Sequence, residues 1–472
     1  MSHERYASPF SWRYGSEELR ALFSERHRRR LWRAVWVALA EAQADAGLVS
    51  DAELADLRAH AGEIDVEAAV EIERETHHDL VAEIRLFASQ ARVGGGRIHL
   101  GATSMDVEDT VDAYRIRRAL SLIGSKLRRL LARFAERIRE NAGLVCIGFT
   151  HLQPAEPTTL GHRLAVYAQD LVLDYEHLRF VFESLRAKGL RGAVGTSASY
   201  EALLGRNGLS EEMERRVLAT FGLEARDVSG QIYSRGLDYL VVAALASTGA
   251  SLAKFAADVR ILSAAPFGEV AEPFGERQVG SSAMPFKRNP VLCERIDSLA
   301  RLLPAYANVA WSNAATNYLE RTLDDSANRR TILPEASLCT DEILSLAFRA
   351  IDGLRLNERR IAQNLRTYGV FAGSEAVMMA AVRAGGDRQR LHEAIRRHSM
   401  TAWEALERGE DNPLPQLLTE EPELTGRVDP AEIRRLLDPS GDVGTAAARA
   451  LRVAQRIDAI RPFPMQREVE AR

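Results

Sequence analysis

Apolar residues recur at helical spacing, i, i+3, i+4 and i+7, over several segments that are much longer than an ordinary helix. No segment shows the sustained two-residue alternation between hairpin turns that predicts paired β-strands. A helix of twenty-five residues or more spans about 40 Å. The chain is therefore predicted to be all-α, with its clearest long helices at residues 16–47, 107–141, 159–187, 238–264, 290–315 and 327–352.

Helices of this length constrain the domain organisation and the assembly. One small domain cannot cover the apolar face of such a rod, so these helices are predicted to pack side by side and against other subunits. The pattern changes near Gly94–Gly96, and after about residue 356 the helices shorten and prolines interrupt them. We expect a homo-oligomer whose subunit has three domains: an N-terminal helical domain at 1–106, a central long-helix bundle at 107–356 and a C-terminal helical domain at 357–472.

Charge and composition argue against nucleic-acid and membrane partners. The 472 residues carry a formal net charge of −4, and the one basic cluster, at residues 26–30, is typical of a solvated helix face. We identify no apolar stretch of membrane-spanning length, and the start MSHERYASPFSWRYG lacks the segments of a signal peptide. The protein is therefore expected to act in the cytoplasm.

The placement of cysteine and histidine argues against a metal centre or a disulfide framework. Cys146, Cys293 and Cys339 lie far apart and are odd in number, which favours small core residues. The pair His77–His78 lacks a third ligand at a metal-binding spacing. We predict no metal site.

The segment Gly280–Pro290, GSSAMPFKRNP, lies in one of the longest irregular stretches, near 267–290. A glycine is followed by two hydroxyl groups, and a cation and an amide precede a helix predicted to begin at Pro290. Unpaired N–H groups at a helix N-terminus favour an anion there. From residue types alone, the segment is either an anion-binding loop or an ordinary helix-capping loop.

Taken as a string, GSSAMPFKRNP resembles the signature loop of the fumarase/aspartase superfamily, and its SSAMP…KRNP form resembles the adenylosuccinate lyase family in particular. Other motifs follow in the family's order: ETHHD at 75–79, HLGATSMDVEDT at 99–110, THLQPAEPTTLG at 150–161, GQIYSRGLD at 230–238 and ERTLDDSANRR at 320–330. The resemblance runs from Arg13 to about Gly386. It implies a cofactor-free lyase that releases fumarate from adenylosuccinate and from succinylaminoimidazole carboxamide ribotide, in a homotetramer whose active sites are shared by three subunits.

The elimination needs a base for a proton beside a carboxylate and an acid for the departing nitrogen. The resemblance implies that Ser281 is the base, acting as an alkoxide whose ionisation needs neighbouring donors such as loop N–H groups. It also implies that His151 is the general acid, a role suited to a histidine at neutral pH. Glu294, which the family pairs with this histidine, would orient the imidazole.

The resemblance assigns further catalytic contacts to three residues. Lys287 and Asn289 would hold the substrate carboxylate and stabilise the doubly negative aci-carboxylate that forms as the proton leaves. His78 would contact the substrate near the reacting bonds.

The remaining implied substrate contacts include cations and hydroxyls suited to a phosphate and an amide suited to the base or carboxamide, while His99, Thr103 and Ser104 would join His78 near the reacting bonds. Arginine offers the bidentate fork that phosphate favours. These contacts are Arg13, Tyr14, His77, Asp79, His99, Thr103, Ser104, Thr150, Gln153, Gln231, Arg295, Arg321, Ser326 and Arg330. Arg329 is an equally good candidate for the role given to Arg330.

Two departures from the family pattern and two alternatives remain open. Glu156 stands where glutamine is common, and His162 where lysine is common. The chain could instead resemble argininosuccinate lyase, fumarase or aspartase, against which THHD and TLDDSANRR argue. A catalytically silent structural protein on the same scaffold would need neither Ser281 nor His151. Residues after about Gly386 carry no motif that we can assign.

Overall fold

The computed structural model describes residues 4–205, 208–441 and 443–469, and it is mostly helical. The helices are α1 Glu17–Leu22, α2 Glu25–Ala44, α3 Asp51–His60, α4 Val66–Thr76, α5 Asp79–Gln90, α6 Ser104–Glu140, α7 Leu160–Ser184, α8 Ala198–Leu204, α9 Leu209–Thr220, α10 Gly236–Ser263, α11 Val291–Ala300, α12 Leu302–Ala315, α13 Ser326–Asp352, α14 Glu358–Arg383, α15 Arg388–Glu407, α16 Leu414–Glu420, α17 Pro422–Thr425, α18 Pro430–Leu436 and α19 Ala446–Asp458. The strands are β1 Val145–Thr150, β2 Gln153–Thr159, β3 Val270–Ala271 and β4 Arg355–Leu356. The expected all-α class is confirmed, with two short antiparallel strand pairings added, β1 with β2 and β3 with β4.

Four long helices, α6, α7, α10 and α13, form the centre of the subunit. Helix α10 packs against α7, α11, α12 and α13, while α6 packs against α7, α13 and α19. Their inward faces carry fully buried side chains such as Leu130, Phe134 and Phe255. The Phe134 and Phe255 rings meet edge to face, with their centroids 5.2 Å apart. Burying each such side chain contributes about 1.5–3 kcal/mol relative to exposure, which accounts for the strength of these seams.

Two of the predicted long helices are each divided in two. Residues 16–47 form α1 and α2, because the Ser24 side chain accepts the backbone N–H of His27 and starts a new helix. Residues 290–315 form α11 and α12, which meet at Arg301. Pro304 lacks an N–H and its ring would meet the Ala300 carbonyl in a continuous helix.

The basic cluster at residues 26–30 is not simply a solvated face, as the sequence had indicated. Arg29 is buried and pairs with Glu83 at 3.0 Å, and the buried Arg33 pairs with the same carboxylate at 2.6 Å. Arg28 is largely buried and reaches Glu25 at 2.9 Å. The spacing of these arginines places them on the face of α2 that meets α5.

The expectation that no hairpin occurs is wrong at residues 145–159. Strands β1 and β2 pair antiparallel, with Val145 opposite Thr159 and Thr150 opposite Gln153. Their two-residue turn is His151–Leu152, and both residues have positive φ, +54° and +60°. Such a turn matches the twist of the two strands, but its residues are usually Asn or Gly. The sequence signal for a hairpin is therefore absent at His151–Leu152.

The C-terminal part has its own apolar cluster, which lies between Val370 and Leu437. The last described segment then returns to the long helices, where α19 packs on α6 and α7. The Phe463 ring contacts Tyr175 and Phe182, and it lies so close to Gly124 that a Cβ there would meet it at 2.3 Å. The division at residues 106 and 356 stays a prediction.

Helix α10 is long and apolar enough, by length and composition alone, to span a membrane, which corrects the expectation that no stretch is. It is the one such helix within the described ranges. Of the 18 most apolar consecutive residues of this helix, 50% are buried inside the subunit. The central helix of a bundle requires the same composition.

Candidate active site

A groove of about 580 Å³ lies where α5, α6 and α13 begin. Three helix N-termini near one groove favour an anion, because each presents the positive end of its dipole. Many of the residues expected to bind substrate line this groove, together with others the sequence did not indicate. The lining is Glu73, His77, His78, Asp79, Thr103, Ser104, Met105, Glu108, Gln231, Arg321, Thr322, Leu323, Ser326 and Arg330.

The two histidines of the groove occupy the turn between α4 and α5. His77 ends α4 with a left-handed φ of +53°, and His78 precedes the first residue of α5. The Nε2 atom of His78 lies 3.3 Å from the Ser104 hydroxyl, which links this turn to the start of α6. No group of three His, Cys, Asp or Glu side chains among the described residues is arranged to hold a metal ion.

Arg330 faces the groove, whereas Arg329 is buried behind it. Arg330 Nη2 donates to Asp79 Oδ2 at 2.7 Å and remains about half exposed. Burial opposes ionisation of Asp79, but Arg330, Arg28 and the Leu80 N–H together outweigh it, and the pKa of that carboxyl is lowered. Arg329 donates to Asp238 and to the hydroxyl of Tyr233. The geometry therefore favours Arg330 as the contact available to a ligand in the groove.

His99 is held in one tautomer beside this site. The indole N–H of Trp36 donates to His99 Nδ1 at 3.1 Å. Burial, helped by neighbouring His78, lowers the pKa of His99 to about 4, although Asp106 opposes the shift. Its imidazole is therefore neutral at pH 7 and carries its proton on Nε2, where it is a hydrogen-bond donor rather than a general acid.

His151 lies in a second cavity, of about 290 Å³, at the other end of the bundle. It stands at the exposed tip of the β1–β2 hairpin, and its neighbours Thr150 and Gln153 flank the turn. The cavity is lined by Phe149, His151, Leu152, Arg163, Tyr167, Lys254, Asp258, Ile261, Leu262 and Phe267. The final residues of α10 form one of its walls.

The departures Glu156 and His162 do not line this cavity. Glu156 is exposed on β2. His162 lies in the first turn of α7, in a separate groove with Arg449, Arg452 and Arg456 of α19. Arg163, the next residue, is the one that reaches the His151 cavity.

The loop at residues 272–290 surrounds Ser281 with donors. The backbone N–H groups of Ala283 and Met284 point at Ser281 Oγ, at 3.3 and 3.1 Å. The loop closes tightly, because a Cβ on Gly280 would lie 2.0 Å from the Lys287 carbonyl oxygen. Two N–H donors aimed at the serine oxygen favour negative charge on it.

The other two loop residues with expected roles are Asn289 and Lys287. Asn289 Nδ2 donates to the Gly280 carbonyl at 2.9 Å, so this amide holds the loop closed. Lys287 is exposed.

The N-terminus of α11 already binds an anion from the protein itself. The Glu272 carboxylate accepts the backbone N–H of Leu292 at 2.9 Å and that of Cys293 at 2.6 Å. The anion expected at this helix N-terminus is therefore Glu272.

One subunit does not bring all of the expected residues together. Helix α10 begins beside the groove, where Arg235 pairs with Asp109 at 3.0 Å, and ends at the His151 cavity. Its 28 residues separate the two ends by about 40 Å. Glu294 and Arg295 lie on α11, and Glu294 is exposed. No hydrogen bond joins Glu294 to His151 in the part of the chain that the structure describes.

Arg13 and Tyr14 lie apart from the groove, alongside the middle of α13. The adjacent Gly15 and Ser16 donate backbone N–H groups to Glu342 and Asp341, at 3.1 and 2.7 Å. The Arg13 guanidinium is exposed and lies 5.8 Å from the centre of the Tyr14 ring.

Glu108 is one of the groove residues that the sequence analysis does not predict, and it is the one whose position has a chemical consequence. It follows Ser104 by four positions on α6, and this spacing puts both side chains on the same helix face. The signal was therefore available in HLGATSMDVEDT. It also borders a deeper cavity of about 140 Å³ that contains Glu25, Arg28, Asp112, Arg115 and Arg329.

Comparisons with known proteins identify related sequences along most of the chain. A family model described as lyase matches residues 13–302, and one described as adenylosuccinate lyase C-terminus matches residues 371–453. The adenylosuccinate lyase of Schizosaccharomyces pombe is 37% identical over 448 residues, 93% of this chain and 92% of the relative. The adenylosuccinate lyase of Saccharomyces cerevisiae is 36% identical over 98% of this chain and 97% of its own length, and that of Archaeoglobus fulgidus is 33% identical over 96% and 99%.

Solved structures show the same fold. A fumarate lyase from Mesorhizobium sp. BNC1 superposes with a TM-score of 0.82 at 25% identity, covering 96% of this chain and 99% of its own. A 3-carboxy-cis,cis-muconate lactonizing enzyme from Pseudomonas putida gives a TM-score of 0.82 at 25% identity, with coverages of 95% and 99%. The match at 371–453 extends past Gly386 into the region where the sequence carries no motif that we can assign.

Proposed function

The chain belongs to the adenylosuccinate lyase family, and from that premise we propose that it eliminates fumarate from succinylated purine nucleotides. Its substrates are adenylosuccinate, which gives AMP, and succinylaminoimidazole carboxamide ribotide, which gives aminoimidazole carboxamide ribotide. The observation that carries the proposal is the groove in which Arg321, Ser326 and Arg330 lie near His78 and Ser104. Arginine forks and hydroxyls suit a phosphate, and a volume of about 580 Å³ suits a nucleotide.

Ser281 removes the proton next to the substrate carboxylate. A serine hydroxyl is a very weak acid, so its alkoxide must be stabilised by fixed donors. The N–H groups of Ala283 and Met284 on Ser281 Oγ supply that stabilisation, and they need no reorganisation during the reaction. Lys287, on the same loop, neutralises the aci-carboxylate, and Asn289 keeps the loop closed around both groups.

His151 gives a proton to the nitrogen as its bond to carbon breaks. Its position at a strained, exposed hairpin tip lets the imidazole reach outward from its own subunit. Glu294 orients this imidazole from α11, and His78 with the neutral, donating His99 holds the substrate near the reacting bonds.

A complete site requires several subunits, and we infer a homotetramer. His78 and His151 lie at opposite ends of a helix about 40 Å long, so they can meet one substrate only if subunits pack antiparallel. Helix α7 presents a matching surface: Val166, Leu173 and Phe180 are exposed by 49%, 66% and 61% and recur every seven residues. Such a stripe is typical of a helix that packs on another helix.

Substrate comparison tests the proposed function. We expect fumarate release, followed by ultraviolet absorbance, from adenylosuccinate and from succinylaminoimidazole carboxamide ribotide without added metal or cofactor. The dephosphorylated nucleoside should have a much lower kcat/KM, because phosphate contacts also orient the reacting bonds. Argininosuccinate, malate and aspartate at the same pH and salt are the controls. Equal kcat/KM for the nucleotide and the nucleoside would contradict a contribution of the phosphate to catalysis. Efficient turnover of argininosuccinate would show that the enzyme acts on that substrate rather than on a succinylated purine nucleotide.

A further inference from the structure

Glu108 occupies the wall between the groove and the deeper cavity behind it. It lines both spaces, together with Met105, Arg321, Ser326 and Arg330. Its side chain is half-buried, so it borders the ligand space without being freely solvated. The carboxyl group makes no hydrogen bond or ion pair with other residues in the described ranges.

Most cations around Glu108 are already paired with other carboxylates, and Arg321 instead donates to the Gln231 amide oxygen and the Thr322 carbonyl. Arg28 reaches Glu25 at 2.9 Å and Asp79 at 3.5 Å, and Arg330 reaches the same Asp79. Deeper in the protein, Arg329 reaches Asp238 at 2.7 Å and Asp112 at 3.1 Å, and Arg115 reaches Asp112 at 3.7 Å. A carboxylate at Glu108 would therefore be an additional negative charge without a cation of its own.

We propose that Glu108 is a specificity-determining residue of the anion subsite: its neutral carboxylic acid donates a hydrogen bond to the phosphate of the bound nucleotide, and its ionisation weakens phosphate binding. This inference rests on the proposed function for the identity of the ligand. A carboxylic acid is a donor only while protonated, and a donor to an anionic oxygen forms a strong hydrogen bond. The same group becomes a repelling charge once the proton leaves.

The surroundings keep that proton in place near neutral pH. Burial raises the pKa of Glu108 to about 8, and the charges of Asp79 and Asp112 add to this, while Arg28 and Arg330 oppose it. The charged and titratable groups that border the same two spaces come from α2, α4, α5, α6, α13 and the loops before α5 and α13. They are Glu25, Arg28, Glu73, His77, His78, Asp79, Asp112, Arg115, Arg321, Arg329 and Arg330.

AMP binding as a function of pH tests the proposal. The phosphate of AMP has a pKa of about 6 and stays a dianion above pH 7, so its own charge does not change in the range where Glu108 ionises. Isothermal titration calorimetry on the intact oligomer should show binding about 30-fold weaker at pH 9.5 than at pH 7, since the neutral fraction of Glu108 falls by that factor. Binding at pH 8.5 should take up most of one proton per site. Glu108→Gln keeps a donor and cannot ionise, so its affinity should vary less than about threefold and its proton uptake should vanish.

The matched control is Glu71→Gln, because Glu71 is an exposed carboxylate on α4 that pairs with Arg74. This variant should bind AMP as the wild type does. Glu108→Ala should bind AMP more weakly at pH 7 and also lose the proton uptake. The proposal is overturned if wild-type AMP binding is independent of pH, or if Glu108→Gln keeps the wild-type proton uptake. Fumarate release from adenylosuccinate at pH 7 is measured in parallel, because its absence would contradict the proposed function rather than the role of Glu108.

Discussion

Ser281 illustrates how much chemistry depends on two backbone atoms. A Ser–Ser pair after glycine is common in turns, and residue type alone does not distinguish a base from a capping hydroxyl. The structure adds the Ala283 and Met284 N–H groups, both aimed at the Oγ of Ser281. The neighbouring Ser282 is exposed and has no such pair of donors among the described hydrogen bonds.

Replacing Ser281 should separate catalysis from binding. Ser281→Ala should lower kcat by at least about a hundredfold, because a positioned base contributes that much, while AMP affinity changes by less than about threefold. Ser282→Ala on the same loop is the matched control and should keep at least about a third of wild-type kcat. Steady-state kinetics and AMP titration measure both quantities. A Ser281→Ala enzyme with more than about a tenth of wild-type kcat would show that another group accepts the proton.

Individual site residues could be predicted from the sequence to different degrees. The string around Ser281 and Lys287 indicates their roles through resemblance, and spacing from Ser104 would have indicated Glu108. The neutral tautomer of His99 could not be predicted, because it depends on Trp36, which lies 63 positions away. Arg329 and Arg330 are adjacent in sequence, and only packing against Tyr233 and Asp238 separates the buried one from the exposed one.

At the scale of elements, one buried carboxylate fixes the start of α6 beside the groove. Asp106 accepts the backbone N–H groups of Thr103, Arg191 and Gly192, at 3.0, 3.0 and 3.1 Å. It also pairs with Lys188, and neither of these two side chains is exposed. The start of α6, and with it Thr103 and Ser104, is thereby tied to the segment before α8.

Removing the cation of this pair should destabilise the whole subunit. Lys188→Met leaves Asp106 buried without its partner, which should cost about 3–5 kcal/mol in the free energy of unfolding. Combining it with Asp106→Asn should restore part of the loss, because the unpaired charge is removed. Arg396→Met, which breaks the exposed pair with Glu393, is the control and should change the melting temperature little. Melting temperatures at one protein concentration measure the series, and an unchanged value for Lys188→Met would contradict this account.

Element boundaries were predicted where the physical signal is local. The ends of α6, α10 and α13 agree with their apolar periodicity within about three residues, as expected for long amphipathic helices. The β1–β2 hairpin was missed because its turn uses His151–Leu152 instead of Asn-Gly, and its second strand contains Pro154 and Pro157. The division of α11 from α12 had a local signal in Pro304, which the periodicity concealed.

At the scale of the whole molecule, the length of α10 decides how an active site can form. The groove with His78 lies at the start of this helix, and His151 lies at its end. Catalytic groups must lie within hydrogen-bond reach of one substrate, far less than the roughly 40 Å between these two ends. The apolar rods, with the motifs at their ends and middles, predict an oligomer with shared sites from sequence alone, and the structure adds which end of α10 lies near His78 and which near His151.

Mixing two inactive variants tests this shared site most directly. His78→Ala and His151→Ala each remove one end of the site, and each homo-oligomer should be nearly inactive. Dissociated and reassembled together, they should recover about a quarter of wild-type activity, because random assembly pairs an intact His78 with an intact His151 in that share of the sites. Native mass spectrometry verifies that the oligomers are mixed. Recovery near that level supports a site built between subunits, whereas no recovery in verified mixed oligomers would contradict it.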